Sequence, residues 1–103
     1  MSIVSSQADV LQIRDLPDLD RITVVFLDYG DGAGLLLVEC FGEAWASYWN
    51  AMGCGLREFV AKVDVGYLAQ NLWPREERRT RRREEYLRRI VVAVKEAIRE
   101  RAQ

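Results

Sequence analysis

Two runs of apolar residues in the first half of the chain predict neighbouring β-strands. The run RITVVFLDY (residues 21–29) is rich in β-branched and aromatic residues, which favour strands. After the glycine-rich GDGAG, the run LLLVECF (residues 35–41) repeats this character, so the pair predicts a β-hairpin. Both runs are apolar at nearly every position, which indicates strands that are covered on both faces or central in a sheet. Residues 10–13 are expected to add a short edge strand.

Beyond the second run, the spacing of apolar residues changes to that of a helix. Between residues 43 and 52 they recur at i, i+3, i+4 and i+7, as Trp45, Tyr48, Trp49 and Met52. This spacing predicts one apolar stripe of an α-helix, and a domain this small is expected to bury such rings in its core. The alternative is an exposed aromatic pair that stacks on bases or anchors a partner. Gly53 is expected to end the helix.

The remainder of the chain has helical periodicity as well. LREFVAKV (residues 56–63) predicts a short helix, and Asp64 is expected to cap a second helix that ends near Pro74. Residues 75–101 predict one long C-terminal helix. Strands followed by helices indicate an α+β fold, in which a small antiparallel sheet, a hairpin plus a short edge strand, precedes several helices. Residues 1–103 are expected to form a single domain, with residues 1–8 frayed.

Composition argues against most kinds of catalytic site. The chain has no histidine, and its two cysteines, Cys40 and Cys54, lack the spacing of a zinc or redox motif. We therefore expect no enzymatic activity, no metal and no cofactor, and an enzyme that uses carboxylates alone is kept as an alternative. The sequence has neither the pattern of a signal peptide nor that of a membrane span, so we expect a cytoplasmic protein without a membrane partner.

Charge is distributed unevenly along the chain. Residues 1–64 hold ten acidic and four basic residues, whereas residues 65–103 hold six acidic and eleven basic residues. Such a division predicts two differently charged surfaces that could bind partners. In the acidic half, the candidate partner-binding residues are Asp18, Asp20 and Asp31.

The run REERRTRRREEYLRR (residues 75–89) dominates the basic half. In a continuous helix, Glu77 and Arg81, Glu84 and Arg88, and Glu85 and Arg89 would stand at i and i+4 and form ion pairs. Four of the arginines that lack such a glutamate are predicted to form a basic partner-binding patch: Arg78, Arg79, Arg82 and Arg83. A solvated helix whose charges pair with one another is the alternative. Acidic protein and nucleic acid are both candidate partners of the patch.

Residues 15–98 resemble a family of small phage and prophage proteins. Members of that family have a strand ending in a cysteine and an aromatic residue, a GxAWxAYWxxMG helix, an xEF segment and a D-x-x-YLAxNL segment. The matching residues in this chain are Cys40, Phe41, Gly42, Ala44, Trp45, Ser47, Tyr48, Trp49, Met52, Gly53, Glu58, Phe59, Asp64, Tyr67, Leu68, Ala69, Asn71 and Leu72. The family has no assigned biochemical activity, so the resemblance implies a biological context and no mechanism.

The resemblance implies a protein that acts by binding. Small accessory proteins of phages mostly bind and redirect or block host machinery, and a subset are anti-CRISPR proteins. We therefore expect a non-enzymatic inhibitor of host nucleic-acid machinery, such as a CRISPR effector, with a host protein or ribonucleoprotein complex as its partner. Direct nucleic-acid binding by the arginine-rich helix is the alternative.

Overall fold

A computed structural model, which describes residues 1–102, contains four β-strands followed by three α-helices. The elements are β1 (Asp9–Ile13), β2 (Ile22–Gly30), β3 (Ala33–Cys40), β4 (Glu43–Trp49), α1 (Leu56–Lys62), α2 (Val65–Leu72) and α3 (Arg81–Ala102). The strands form one antiparallel sheet in the order β1-β2-β3-β4. The α+β prediction is therefore confirmed, including the short edge strand, the first hairpin and the long C-terminal helix. None of the helices within residues 1–102 combines the length and apolar character needed to cross a membrane.

Two tight turns explain why the sheet is a simple meander. Asp31 and Gly32 join β2 to β3, and Phe41 and Gly42 join β3 to β4. All four residues have positive φ, between 53° and 80°. Two-residue turns of this kind match the right-handed twist of the strands and return the chain directly onto its neighbour. The side chain of Glu39 supports the second turn, because its Oε2 accepts the N–H of Gly42 at 2.8 Å.

The prediction of a helix over residues 43–52 is wrong, because Glu43–Trp49 forms strand β4. Trp45 and Trp49 are four residues apart, a spacing that places two side chains on one face of a helix and equally on one face of a strand. Tyr48 distinguishes the two cases, since it points away from the tryptophans and is 56% exposed. The turn at Phe41 and Gly42 positions β4 to pair with β3 along its whole length.

The three helices cover one face of the sheet. Several strand residues point inward and are buried, and Val24, Leu36 and Trp45 are each at most 3% exposed. They share one core with buried residues of all three helices: Leu56, Val60, Leu68, Ala69, Leu72, Leu87, Ile90, Val91, Ala93, Val94 and Ile98. The opposite face of the sheet has no layer of secondary structure over it in the described residues. We refer to the covered face as the inner face and to the opposite one as the outer sheet face.

The helix boundaries follow local hydrogen bonds. Asp64 caps α2 as predicted, because its Oδ1 accepts the N–H of Tyr67 at 2.7 Å. The long helix was predicted from residue 75, but α3 begins at Arg81. Pro74 and Glu77 form a turn instead, and the indole N–H of Trp73 donates to the Glu77 carbonyl at 3.0 Å. Residues 75–80 therefore lie outside the helix.

Asp28 ties the sheet to the first helix. Its two carboxylate oxygens accept the N–H groups of Gly30 at 2.8 Å and of Leu56, the first residue of α1, at 2.9 Å. These backbone hydrogen bonds lower the pKa of Asp28, with the larger effect from Leu56. Asp28 therefore has a structural role. Gly34 also allows α1 to lie close to the sheet, since a Cβ at this position would lie 3.1 Å from the Leu56 side chain.

Candidate functional site

The outer sheet face is an open apolar surface. It consists of the residues that alternate with the inward ones along the four strands: Val10, Gln12, Thr23, Val25, Leu27, Tyr29, Leu35, Leu37, Glu39, Ala44, Ala46 and Tyr48. Several large side chains on it are strongly exposed, with Val10 at 50% and Leu37 at 39%. Exposed apolar residues that lie side by side mark interaction surfaces more often than isolated ones do.

Strand register aligns these residues in rows across the sheet. Val10, Val25, Leu37 and Ala46 form the middle row, and Leu27, Leu35 and Tyr48 form the next. The ring of Tyr48 lies 6.2 Å from that of Tyr29, at a tilt of 55°. The two rows therefore create a continuous apolar surface that ends in a pair of tyrosines. The sequence predicted that these strands are covered on both faces or central in a sheet. β2 and β3 are the central strands, so the second alternative is confirmed, but it did not reveal that the outer sheet face is open.

A groove runs along the free edge of β4. It has a volume of about 680 Å³ and is lined by residues 44–48 of the strand and by residues 70–75 at the end of α2. In the described residues, β4 pairs with β3 on one side only. The strand contains no proline and no lysine, which are common protections of an edge strand against pairing. The backbone of β4 therefore has a free edge, which borders the groove.

Arg83, one of the four arginines of the predicted basic patch, pairs with two glutamates. Its guanidinium forms ion pairs with Glu43 at the start of β4 and with Glu77, whose Oε1 lies 2.5 Å from the Arg83 Nε. The hydrogen bond to Glu43 is the main reason that the pKa of Arg83 is raised. The prediction of Arg83 as an unpaired arginine is thus wrong, because both of its partners lie outside α3. It holds the start of this helix against the sheet.

The other three arginines of the predicted patch differ in their surroundings. Arg79 precedes α3, lies over the Trp73 ring at 5.7 Å and approaches Glu84 at 3.9 Å. Arg78 and Arg82 are exposed and form no ion pair among the described residues. Arg75, which is also exposed, lines the groove beside β4. Four exposed arginines of this region form no ion pair among the described residues, and we call them the arginine segment: Arg75, Arg78, Arg81 and Arg82.

The three candidate aspartates do not form one cluster. Asp18 and Asp20 lie in the connection before β2, whereas Asp31 follows the other end of this nine-residue strand. The Asp18 carbonyl accepts a hydrogen bond from Arg89 of α3 at 3.3 Å, and the Asp20 carbonyl accepts one from the Cys40 thiol at 3.6 Å. Both of these contacts use backbone oxygens. All three carboxylates are on exposed residues and can contact a partner only as separate charges.

The two thiols have different surroundings, which predicts different effects of serine. Cys40 is fully buried near Tyr86. The interaction between the Cys40 thiol and the Tyr86 hydroxyl is the main reason that the pKa of Tyr86 rises to about 12. We expect Cys40→Ser to lower the free energy of unfolding by about 1–2 kcal/mol, because it buries a more polar group. Cys54 is half-buried, so Cys54→Ser should be nearly silent in chemical denaturation. A larger loss from Cys54→Ser would contradict this assignment.

The model of a phage protein family, Phage_phiTE_072, matches residues 1–100. The chain belongs to this phage family. All four strands and all but the last two residues of α3 fall within the match to Phage_phiTE_072, and so do the outer sheet face, the groove and the arginine segment. Comparison with curated proteins and with solved structures found no match.

Proposed function

We propose that this member of the phage family is a non-enzymatic inhibitor of host nucleic-acid machinery, such as a CRISPR effector complex. It acts by occupying a surface of its target. The observation that carries this proposal is the groove along β4, which is open to an extended peptide and ends at the arginine segment. Membership of a phage family provides the biological setting.

The groove suits strand addition. An extended peptide that pairs with an exposed edge strand gains main-chain hydrogen bonds, and neighbouring side chains select its sequence. Ala44, Ala46 and Ser47 are small and leave the backbone of β4 accessible. Across the groove, Asn71 and Gln70 present amide groups that can donate to and accept from a bound peptide.

Charge selects the kind of target. Arg75 lines the groove. Arg78 and Arg82 lie a few residues further along the chain and are exposed. Arginine binds carboxylates and phosphates through two parallel hydrogen bonds, which makes these contacts stronger than neutral ones. The expected target therefore presents a negatively charged segment. A ribonucleoprotein complex can offer such charge as protein carboxylates and as RNA phosphates.

Direct binding of nucleic acid is the second candidate function, because the arginine segment is exposed and Arg78 and Arg82 form no ion pair among the described residues. The logarithm of the binding constant for nucleic acid falls linearly with the logarithm of the salt concentration, with a slope set by the number of phosphate contacts. A titration of labelled RNA and DNA at several salt concentrations separates the two candidates. Tight binding to naked nucleic acid with a steep salt slope would favour the second.

The proposed function predicts that the arginine segment is essential for inhibition. Expression of the wild-type protein in a host strain with an active CRISPR system should restore retention of a targeted plasmid. Arg75→Gln combined with Arg78→Gln should weaken binding to the effector complex more than tenfold, because two charge-assisted contacts are lost at once. The melting temperature should stay close to that of the parent, since both residues are exposed.

Two further variants serve as controls for this experiment. Arg99→Gln with Arg101→Gln removes the same charge from exposed positions in the last turn of α3 and should leave inhibition intact. Asp18→Asn with Asp20→Asn and Asp31→Asn tests whether the acidic side chains contact the target instead. Loss of inhibition only in the aspartate variant would contradict the assignment to the arginine segment. A wild-type protein without any effect on plasmid retention would contradict inhibition of CRISPR interference.

A further inference from the structure

We infer that a second copy of this chain covers the outer sheet face, so that two sheets pack face to face with the helices of both copies on the outside. This surface is separate from the groove and the arginine segment, and the inference does not depend on the proposed function. Its basis is the apolar character, the size and the charge distribution of the outer sheet face.

The outer sheet face has the composition of an interface core. Among its twelve residues, Glu39 is the one that carries a charge, and its carboxylate already accepts the N–H of Gly42. Tyr29 and Tyr48 are both more than half exposed. Interface cores are depleted of charged residues and enriched in aromatic ones, and tyrosine is among the residues most often found there. Packing against a second sheet would remove this apolar area from water.

The size of the face suits a modest dimer. With strands about 4.8 Å apart and a rise of about 3.3 Å per residue, four strands of roughly seven residues cover about 440 Å² in projection. Side chains increase the accessible area above this projection, so two copies that overlap completely bury about 900 Å² or more. Stable interfaces begin at about 1,200 Å² and weaker ones are smaller, so this area corresponds to a dimer that dissociates readily. Phe41, which is 79% exposed, lies at the sheet end where it can extend the contact.

Charges at the two ends of the face favour a copy of the chain over an unrelated partner. Arg14 and Arg21 extend the outer sheet face at the end where β1 meets β2, whereas Asp31 and the tyrosine pair lie at the opposite end. A two-fold axis that runs across the strands along the middle row places each end against the opposite end of the other copy. Arg21, which precedes β2, then faces the other end of β2, where the Tyr29 ring attracts cations and Asp31 follows the strand.

The same axis keeps the middle row opposite its own copy. Val10, Val25, Leu37 and Ala46 of one copy would lie over the same row of the other. This is the self-complementary arrangement that a two-fold interface requires. A single substitution in the row therefore acts twice in each dimer, and a charge introduced there would be placed close to an identical charge.

The experiment is analytical ultracentrifugation of the wild-type protein and three variants over a series of concentrations. The wild type is expected to sediment as a dimer of 11.9 kDa chains and to dissociate on dilution. Leu37→Arg in β3 should raise the dissociation constant of the dimer more than a hundredfold, because it places two unpaired charges at the centre of the contact. Val10→Arg on the edge strand β1 should raise the dissociation constant by a similar factor. If Leu37→Arg fails to fold, the result for Val10→Arg tests the inference.

A matched control is available on the helical side. Val92 of α3 is 40% exposed, close to the 39% of Leu37, and it lies outside the outer sheet face. Val92→Arg should therefore leave the dimer intact. A wild-type protein that is monomeric up to hundreds of micromolar would overturn the inference, whether or not another protein binds this face. A dimer that survives both Leu37→Arg and Val10→Arg would overturn it too, and would indicate pairing through the free edge of β4.

Discussion

Replacing Trp45 by alanine is expected to lower the free energy of unfolding by about 3–5 kcal/mol. The indole is 3% exposed on the inner face of β4, and its ring lies 6.1 Å from that of Tyr86 in α3. Truncation would leave a cavity between the sheet and the longest helix, which surrounding side chains could fill only in part. Urea denaturation of the two proteins, followed by circular dichroism, measures the difference.

Tyr48 provides the control on the same strand. It lies three residues from Trp45 but on the outer sheet face, where it is 56% exposed. Tyr48→Ala should cost less than about 1 kcal/mol when measured at low protein concentration, where self-association does not contribute. Similar losses from Trp45→Ala and Tyr48→Ala would contradict the strand and would restore the helical stripe, in which both rings share one face.

Trp49 should give an intermediate result. Its ring packs against that of Phe59 at 5.2 Å, and its indole N–H donates to the Tyr67 hydroxyl at 3.1 Å. Because Trp49 is only half-buried, part of its surface already contacts water in the folded protein. The two tryptophans are therefore expected to contribute differently to stability, although both lie on the inner side of β4.

Local sequence signals predicted much of the fold. The β-branched run of β2, the turn within GDGAG (residues 30–34) and the Asp64 cap each depend on residues within a few positions of one another, and each is present. The assignment of β4 failed because two tryptophans at i and i+4 satisfy both periodicities. The Phe41–Gly42 turn gave little indication of the strand, since the usual hairpin signals are Asn-Gly, Asp-Gly and Gly-Gly, and a bulky residue such as Phe41 rarely has positive φ.

The arrangement of charges could not be predicted in the same way. The i, i+4 rule considers neighbours on one helix, whereas Arg83 pairs with Glu43, which is 40 positions away. Nor does Glu77 pair with Arg81 as predicted, because it lies before the helix and contacts Arg83 instead. Long-range ion pairs depend on how the elements pack. The predicted patch therefore includes one arginine that is structural and a second, Arg79, that is held by Trp73 and Glu84.

The outer sheet face connects the sequence pattern to the proposed dimer. The runs in β2 and β3 are apolar at nearly every position, which is typical of strands with both faces covered. In the described residues the helices cover the inner face alone. A second copy on the outer sheet face would reconcile the two observations. It would also leave both arginine segments exposed, and a target with two sites would then be bound with increased avidity.

Lys95 connects two of the helices through side-chain hydrogen bonds. It lies on α3, and its ammonium group donates hydrogen bonds to the carbonyls of Val60 at 3.1 Å, Ala61 at 2.8 Å and Val63. These carbonyls are at the C-terminal end of α1, where the last turn of a helix leaves carbonyl groups without intrahelical partners. A positive charge is also favourable at this end of the helix dipole. Burial lowers the pKa of Lys95, so its desolvation opposes part of this gain.

Replacing Lys95 by methionine is therefore expected to lower the free energy of unfolding by about 2–3 kcal/mol, because the stem still packs while three carbonyls lose a charged donor. Hydrogen exchange should show the amides of α1 losing protection first. Lys62 lies in the last turn of α1 but is exposed, so Lys62→Met makes the same chemical change and should cost less than about 0.5 kcal/mol. Equal effects of the two substitutions would mean that net charge, and not the contact between α3 and the end of α1, stabilises this layer.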